Sequence, residues 1–163
     1  MEIPSSSISK FFLLLTAIFI LVNLDPIIGL FTYNFKDTQE FKEVILYFVA
    51  PLTVLIIGTI LFLKKMKIGW ALLTIVSTYS FLIFIAGFLN YFSILEIRQA
   101  KLLYHIMPFG TPVLYIAFGI SFLILTYLLN KKDTLIENNI GGNMSSILLT
   151  LSGLLAIIVM IQN

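Results

Sequence analysis

One carboxylate stands inside the first long apolar stretch of this chain, and its type and position suggest chemistry more directly than any other residue. Asp25 follows Asn23 and precedes Pro26 and Gly29. An aspartate inside a membrane helix normally faces water, an ion or a partner, because its charge is costly in lipid. The amide, the proline and the glycine favour a broken helix that exposes backbone carbonyls. This pattern predicts a proton or cation site at Asp25 and Asn23.

A second interpretation places Asp25 at the membrane boundary. A helix from Ile8 to Leu24 is about 25 Å long at about 1.5 Å per residue, which is just enough to cross the hydrocarbon. Asp-Pro is also a common helix stop. In that case residues 27–35 form an amphipathic or re-entrant stretch at the outer interface. Both interpretations stay open on the sequence alone.

The third apolar stretch carries hydroxyl residues at helical spacing. Thr74 and Thr78 are four residues apart and share a face with Ser77. Small and hydroxyl residues at this spacing are typical of close packing between helices in lipid. The alternative is that these three residues line a polar path together with Asp25. The same small-residue spacing recurs at Ala117 with Ser121 and at Ser152 with Ala156.

Basic residues also recur at helical spacing before the fourth apolar stretch. Arg98, Lys101 and His105 would form one stripe on a helix, within a connector over residues 93–108. Such a stripe can bind a lipid head group or another anion. The alternative is an interfacial helix whose charges are simply solvated.

Motifs of catalysis are absent from the sequence. Cysteine does not occur and histidine occurs once, so thiolate or multi-histidine metal sites are excluded. No nucleophile elbow and no glycine-rich phosphate loop is present. We therefore expect a protein that is not an enzyme and that has no metal site and no cofactor.

The composition indicates whether most of these residues lie in water or in lipid. Apolar residues make up 60% of the 163 residues and charged residues 11%, against about 25% charged in soluble domains. The formal net charge of +2 is too small to indicate nucleic-acid binding. The composition predicts an integral membrane protein.

Five stretches approach the length of about 20 apolar residues that crosses a bilayer. The sequence predicts an all-α bundle of five transmembrane helices with short loops, or four if the last stretch does not span. Residues 1–163 then form a single transmembrane domain. The expected spans are 11–31, 41–63, 68–95, 109–129 and 145–161.

The distribution of basic residues predicts the orientation of these spans. With a cytoplasmic amino terminus, the inner side holds more lysine and arginine than the outer side. The inner residues are Lys10, Lys64, Lys65, Lys67, Lys131 and Lys132, and the outer ones are Lys36, Lys42, Arg98 and Lys101. The composition suits a multi-pass protein of the bacterial inner (cytoplasmic) membrane, with an external carboxyl terminus.

Two functions remain after these exclusions. The first is a non-catalytic subunit or accessory component of a membrane complex, which contacts lipids and either a membrane-protein partner or a second copy. The second is a small transporter or channel subunit that uses Asp25 to handle protons or cations. An Asp25→Asn variant that still inserts but loses a pH-dependent flux would favour the second.

Overall fold

All the secondary structure that can be described in this chain is helical. The computed structural model describes residues 5–22, 49–92, 94 and 112–161, and within these ranges it has six helices and no strand. The all-helical prediction is confirmed for this part of the chain. The helices are α1 (Ser5–Val22), α2 (Ala50–Leu63), α3 (Lys67–Tyr91), α4 (Pro112–Asn130), α5 (Lys132–Glu137) and α6 (Gly142–Ile161).

Helix α3 lies at the centre of the described helices. It packs against α4, α2 and α6, and α1 packs against α2 and α4. No residue of α3 between Gly69 and Asn90 is exposed, whereas α1, α2, α4 and α6 each have an exposed side. The hydroxyl residues predicted from the sequence to share a face are therefore enclosed by other helices.

Aromatic packing sets α3 antiparallel to α4. The ring of Phe84 stacks on Phe118, with centroids 5.4 Å apart, and on Phe122, at 5.8 Å. One helical turn later, Gly87 lies against the ring of Tyr115, which a Cβ atom would approach to 2.9 Å. Position numbers rise along one helix as they fall along the other, so the start of α3 lies beside the end of α4.

A tight turn joins α2 to α3. The N–H of Lys65 donates to the carbonyl of Phe62 at 2.9 Å, and the N–H of Met66 donates to Leu61 at 3.0 Å. Lys65 is left-handed, with φ 56°. These features define a Schellman motif, although glycine is the usual residue at the left-handed position. Gly69 allows the close return, because a Cβ there would lie 2.2 Å from the Phe62 nitrogen.

A second turn of the same kind ends α5. The N–H of Asn139 donates to Ile136 at 3.0 Å, and the N–H of Ile140 donates to Leu135 at 2.8 Å. Asn139 has φ 54°, which asparagine adopts more readily than most residues. This turn redirects the chain into α6.

The outer surface of the helices is apolar. Every exposed residue of α4 is aliphatic or aromatic: Val113, Ile116, Ala117, Ile120, Leu123, Ile124 and Tyr127. In the described ranges, α3 and α4 are long and apolar enough to cross a membrane, while α2 and the 142–158 part of α6 are apolar but shorter. By length and composition, two helices therefore qualify as membrane spans.

The described helices overlap three of the expected spans, whose membrane boundaries stay predictions. Of 11–31, residues 11–22 lie in α1, which starts at Ser5, and residues 23–31 lie outside the described residues. Of 68–95, residues 68–91 lie in α3, which ends at Tyr91. All of 145–161 lies in α6, which starts at Gly142 and has 20 residues.

The other two expected spans are described only in part. Of 41–63, the structure describes residues 49–63, where α2 begins at Ala50. Pro51 lies close to the start of the described range, and residues 41–48 before it lie outside the described residues. Of 109–129, residues 112–129 are described, and α4 runs to Asn130. The connector at 93–108 lies outside the described residues except for Ile94.

Candidate functional site

The residues predicted from the sequence to do chemistry fall into two groups. Asp25 and Asn23 lie outside the described residues, and so do Arg98, Lys101 and His105. The three hydroxyl residues of the third apolar stretch, Thr74, Ser77 and Thr78, all lie on α3. The structure therefore informs only the second group.

The hydroxyl of Ser77 forms one hydrogen bond within α3 and another with α4. Its hydroxyl donates to the carbonyl of Leu73 at 2.6 Å and lies 3.1 Å from the hydroxyl of Thr126 on α4, which donates to it. Ser77 is fully buried. This is an interhelical hydrogen bond of the kind that holds membrane helices together. For Ser77 the packing interpretation accounts for the observed contacts.

Thr74 and Thr78 differ from Ser77. The side-chain oxygens of both threonines are buried, and neither has a hydrogen-bond partner in the part of the chain that the structure describes. Thr74 is completely inaccessible as a residue. The threonines of other helices, such as Thr16 and Thr59, donate to the carbonyl four residues earlier.

The hydroxyls of Thr74 and Thr78 therefore define a buried position among the helices where a further molecule could form hydrogen bonds. A buried hydroxyl without a partner is unfavourable by about 1–3 kcal/mol, so such groups usually mark a water molecule, an ion or a ligand. Thr74 and Thr78 lie one turn apart on one face of α3, and their two hydroxyls together can donate two hydrogen bonds and accept up to four. The sequence predicts all three hydroxyls on one face, and of these three, Thr74 and Thr78 are the ones without a hydrogen-bond partner among the described residues.

Side chains from other elements cap the end of α4. The last carbonyls of a helix have no partner within it. The indole N–H of Trp70 on α3 donates to the carbonyl of Leu129 at 2.9 Å, and the hydroxyl of Thr134 on α5 donates to the carbonyl of Leu128, also at 2.9 Å. These contacts tie α3 and α5 to the same end of α4. Trp70 was missed by the sequence reasoning, although a lone tryptophan near lysines is a signal of an anchored helix end.

The same end holds a second polar link. The hydroxyl of Ser145 on α6 donates to the side-chain oxygen of Asn130 at 2.5 Å, and the Asn130 amide donates to the backbone carbonyl of Thr126 at 2.8 Å. The side-chain hydroxyl of Thr126 in turn contacts Ser77. Polar contacts at Asn130 and Thr126 thus link α4 to α6 on one side and to α3 on the other.

Two lysine clusters meet at this end, here named the lysine end and defined by Lys64, Lys65, Lys67, Lys131 and Lys132. The Lys65 ammonium lies 3.7 Å from the Glu137 carboxylate, which places the α2–α3 turn beside α5. Lys131 lies 2.9 Å from Asp133, and its hydrogen bond and charge lower the pKa of that carboxyl. The sequence prediction that both clusters lie on one side is consistent with these contacts.

The two faces of α6 differ in character. Ser152 and Ala156 are buried, as expected for a small-residue pair that packs between helices. On the flank beside this pair Ser146 and Thr150 are exposed, and no atom of the described residues lies within 4 Å of a Cβ placed on Gly153. We name Ser146, Thr150 and Gly153 the α6 strip. The other predicted pair, Ala117 with Ser121, is not in the packed interior, because Ala117 is exposed.

No group of three or more histidine, cysteine, aspartate or glutamate side chains that could hold a metal ion occurs among the described residues. Comparison with models of known protein families, with curated proteins and with solved structures found no match to this chain. Any conclusion about function is therefore based on the residues of this chain alone.

Proposed function

We propose that the chain is a small multi-pass protein of the bacterial inner membrane that acts as a non-catalytic subunit or accessory component of a membrane complex. The observation that carries the proposal is the outer surface of the helices. The exposed residues of α4 are all aliphatic or aromatic, and large apolar residues such as Leu14, Ile57 and Leu151 are exposed on other helices. A protein in water rarely exposes so much contiguous apolar surface, whereas lipid requires it.

The α6 strip supports contact with a partner in the membrane. Small residues let another helix approach closely, and close approach drives association where lipid supplies no hydrophobic force. Ser146, Thr150 and Gly153 lie within one narrow sector of α6, and among the described residues nothing lies within 4 Å of a Cβ placed on Gly153. The proposed occupant is a transmembrane helix of a different protein.

Two measurements test this proposal. The chain should stay in the membrane fraction after an alkaline wash. A photo-crosslinking side chain at position 150 should then give an adduct with a partner protein in native membranes. The matched control is position 155, because Leu155 is exposed on the same helix but outside the strip.

The outcomes separate cleanly. A partner adduct at 150 that is absent at 155 and lost in Gly153→Leu supports the proposal. An adduct of twice 18.4 kDa would show self-association instead of a subunit role. Release by the alkaline wash, or equal labelling at both positions, would overturn it.

A second candidate, a small transporter or channel subunit, is favoured by Thr74 and Thr78. Their buried hydroxyls have no partner among the described residues, which suits a polar path for protons or cations. In this function Asp25 and Asn23 bind the ion, and Thr74, Ser77 and Thr78 line the path. Thr74→Val should then reduce, and Asp25→Asn abolish, a pH-dependent flux in proteoliposomes. The absence of flux in the parent protein would remove this candidate.

A further inference from the structure

The lysine end carries positive charge that its own carboxylates do not neutralise. Five lysines there meet two described carboxylates, which leaves a local net charge of +3. Asp133 is paired with Lys131 and Glu137 with Lys65. Lys64, Lys67 and Lys132 are exposed, and no carboxylate of the described residues lies within 4.0 Å of their ammonium groups. Within the described ranges, these three ammonium groups are thus the ones without a carboxylate partner.

Apolar side chains alternate with these lysines. Leu63 is 49% exposed, Met66 45% and Ile68 55%, all next to lysines in the α2–α3 turn. On α5, Ile136 is 64% exposed and precedes Glu137. A rim that mixes exposed apolar groups with lysines fits the boundary between acyl chains and head groups, where lysine stems lie in the apolar layer and ammonium groups reach the phosphates.

From this arrangement we infer that the lysine end is a binding site for the head groups of anionic phospholipids, made by Lys64, Lys67 and Lys132. The inference rests on the proposed membrane location. A soluble polyanion such as nucleic acid fits less well, because three cations are few and the apolar residues between them would face water. The site is distinct from the stripe Arg98, Lys101 and His105, which the sequence suggested for the same ligand class.

The test compares lipids of equal chain length and different charge. The full-length protein is placed in nanodiscs that contain equal amounts of phosphatidylglycerol and phosphatidylcholine, and the lipids that remain bound are counted by native mass spectrometry. The variant is Lys64→Gln, Lys67→Gln, Lys132→Gln. The charge-matched control changes three other lysines, Lys10→Gln, Lys36→Gln and Lys42→Gln.

The expected result is a preference for phosphatidylglycerol in the parent and in the control. In the variant this preference should fall by about tenfold or more, since each lysine near an anionic surface contributes about 1 kcal/mol. Asp133→Asn should raise the preference, because it removes a competing carboxylate. Raising the salt to about 1 M, where the Debye length is about 3 Å, should weaken it in the parent.

Failure of this inference is distinguishable from failure of the membrane proposal. Equal binding of both lipids by a protein that resists the alkaline wash would overturn the site and leave the membrane location intact. An equal loss in variant and control would also overturn it, because the effect would then follow net charge and not position. A chain that does not enter nanodiscs at all would overturn the membrane location first.

Discussion

The indole nitrogen of Trp70 lies 2.9 Å from the carbonyl oxygen of Leu129, and both residues are completely buried. The contact joins the first turn of the central helix to the last turn of α4. It supplies a donor to a carbonyl that has no partner within its own helix. This hydrogen bond therefore contributes to the register of the two helices, together with the aromatic packing around Phe84.

Removing the indole donor should destabilise the helix group. Trp70→Phe keeps an aromatic ring but leaves the Leu129 carbonyl buried without this donor, which should lower the free energy of unfolding by about 1–3 kcal/mol. Circular dichroism during denaturation in detergent measures the change, because Trp70 is the only tryptophan and its fluorescence is lost. Tyr127→Phe, at a residue 67% exposed, should change stability by less than about 0.5 kcal/mol. Equal stability of Trp70→Phe and the parent would contradict the role assigned to this bond.

Two glycine substitutions should act in opposite directions. In Gly69→Ala the new Cβ would lie 2.2 Å from the Phe62 backbone nitrogen, so α2 and α3 must separate, at a cost of about 1–3 kcal/mol or more. In Gly153→Ala the Cβ meets nothing within 4 Å, and alanine favours the helix by up to about 1 kcal/mol. Thermal denaturation of both variants in one detergent gives the comparison. A Gly69→Ala variant as stable as Gly153→Ala would rule out the close approach of the two helices.

At Lys65 an unfavourable left-handed backbone conformation and a favourable ion pair with Glu137 have opposite effects on stability. Its left-handed backbone costs about 1–2 kcal/mol for a residue with a side chain, whereas an exposed ion pair such as that with Glu137 contributes about 0–1 kcal/mol. Lys65→Gly should therefore raise the stability. Asn139→Gly should raise it less, because asparagine tolerates this conformation. A lower melting temperature for Lys65→Gly would show that the ion pair with Glu137 is the stronger effect.

Two threonine-to-valine substitutions test which buried hydroxyls are paired. Thr126→Val removes the hydrogen bond to Ser77 and should cost about 0.6 kcal/mol, the average for such bonds between membrane helices. Thr74→Val removes a hydroxyl without a described partner and should leave stability unchanged or higher. Denaturation curves of the two variants provide the measurement. Destabilisation by Thr74→Val would mean that a bound water or ligand satisfies this hydroxyl.

The sequence predicted the parts of the fold that depend on long apolar runs. Helix α3, Lys67–Tyr91, covers most of the expected apolar stretch 68–95, which contains no charge. The sequence after Tyr91 stays apolar, so hydropathy gives no sign of a helix end. Helix α5 was missed entirely, because its six residues are too few for a periodic pattern and the contact of Thr134 with Leu128 is tertiary.

The residue types of the candidate site could be predicted from the sequence, but the hydrogen-bond partner of each hydroxyl could not. The spacing of Thr74, Ser77 and Thr78 correctly placed three hydroxyls on one helix. Which of them is paired depends on the direction of each hydroxyl and on Thr126, a residue far away in the sequence.

The enclosure of α3 has a consequence for biosynthesis. Ribosomes make this helix before α4 and α6, two of the three helices that pack against it. During that interval the hydroxyl of Ser77 lacks its contact with Thr126, because α4 has not yet been made. The indole of Trp70 likewise lacks the Leu129 carbonyl that it binds in the finished protein. Translation of the second half of the chain thus completes the environment of the first half, and a nascent chain arrested after Tyr91 should be a better substrate for quality-control proteases than the finished protein.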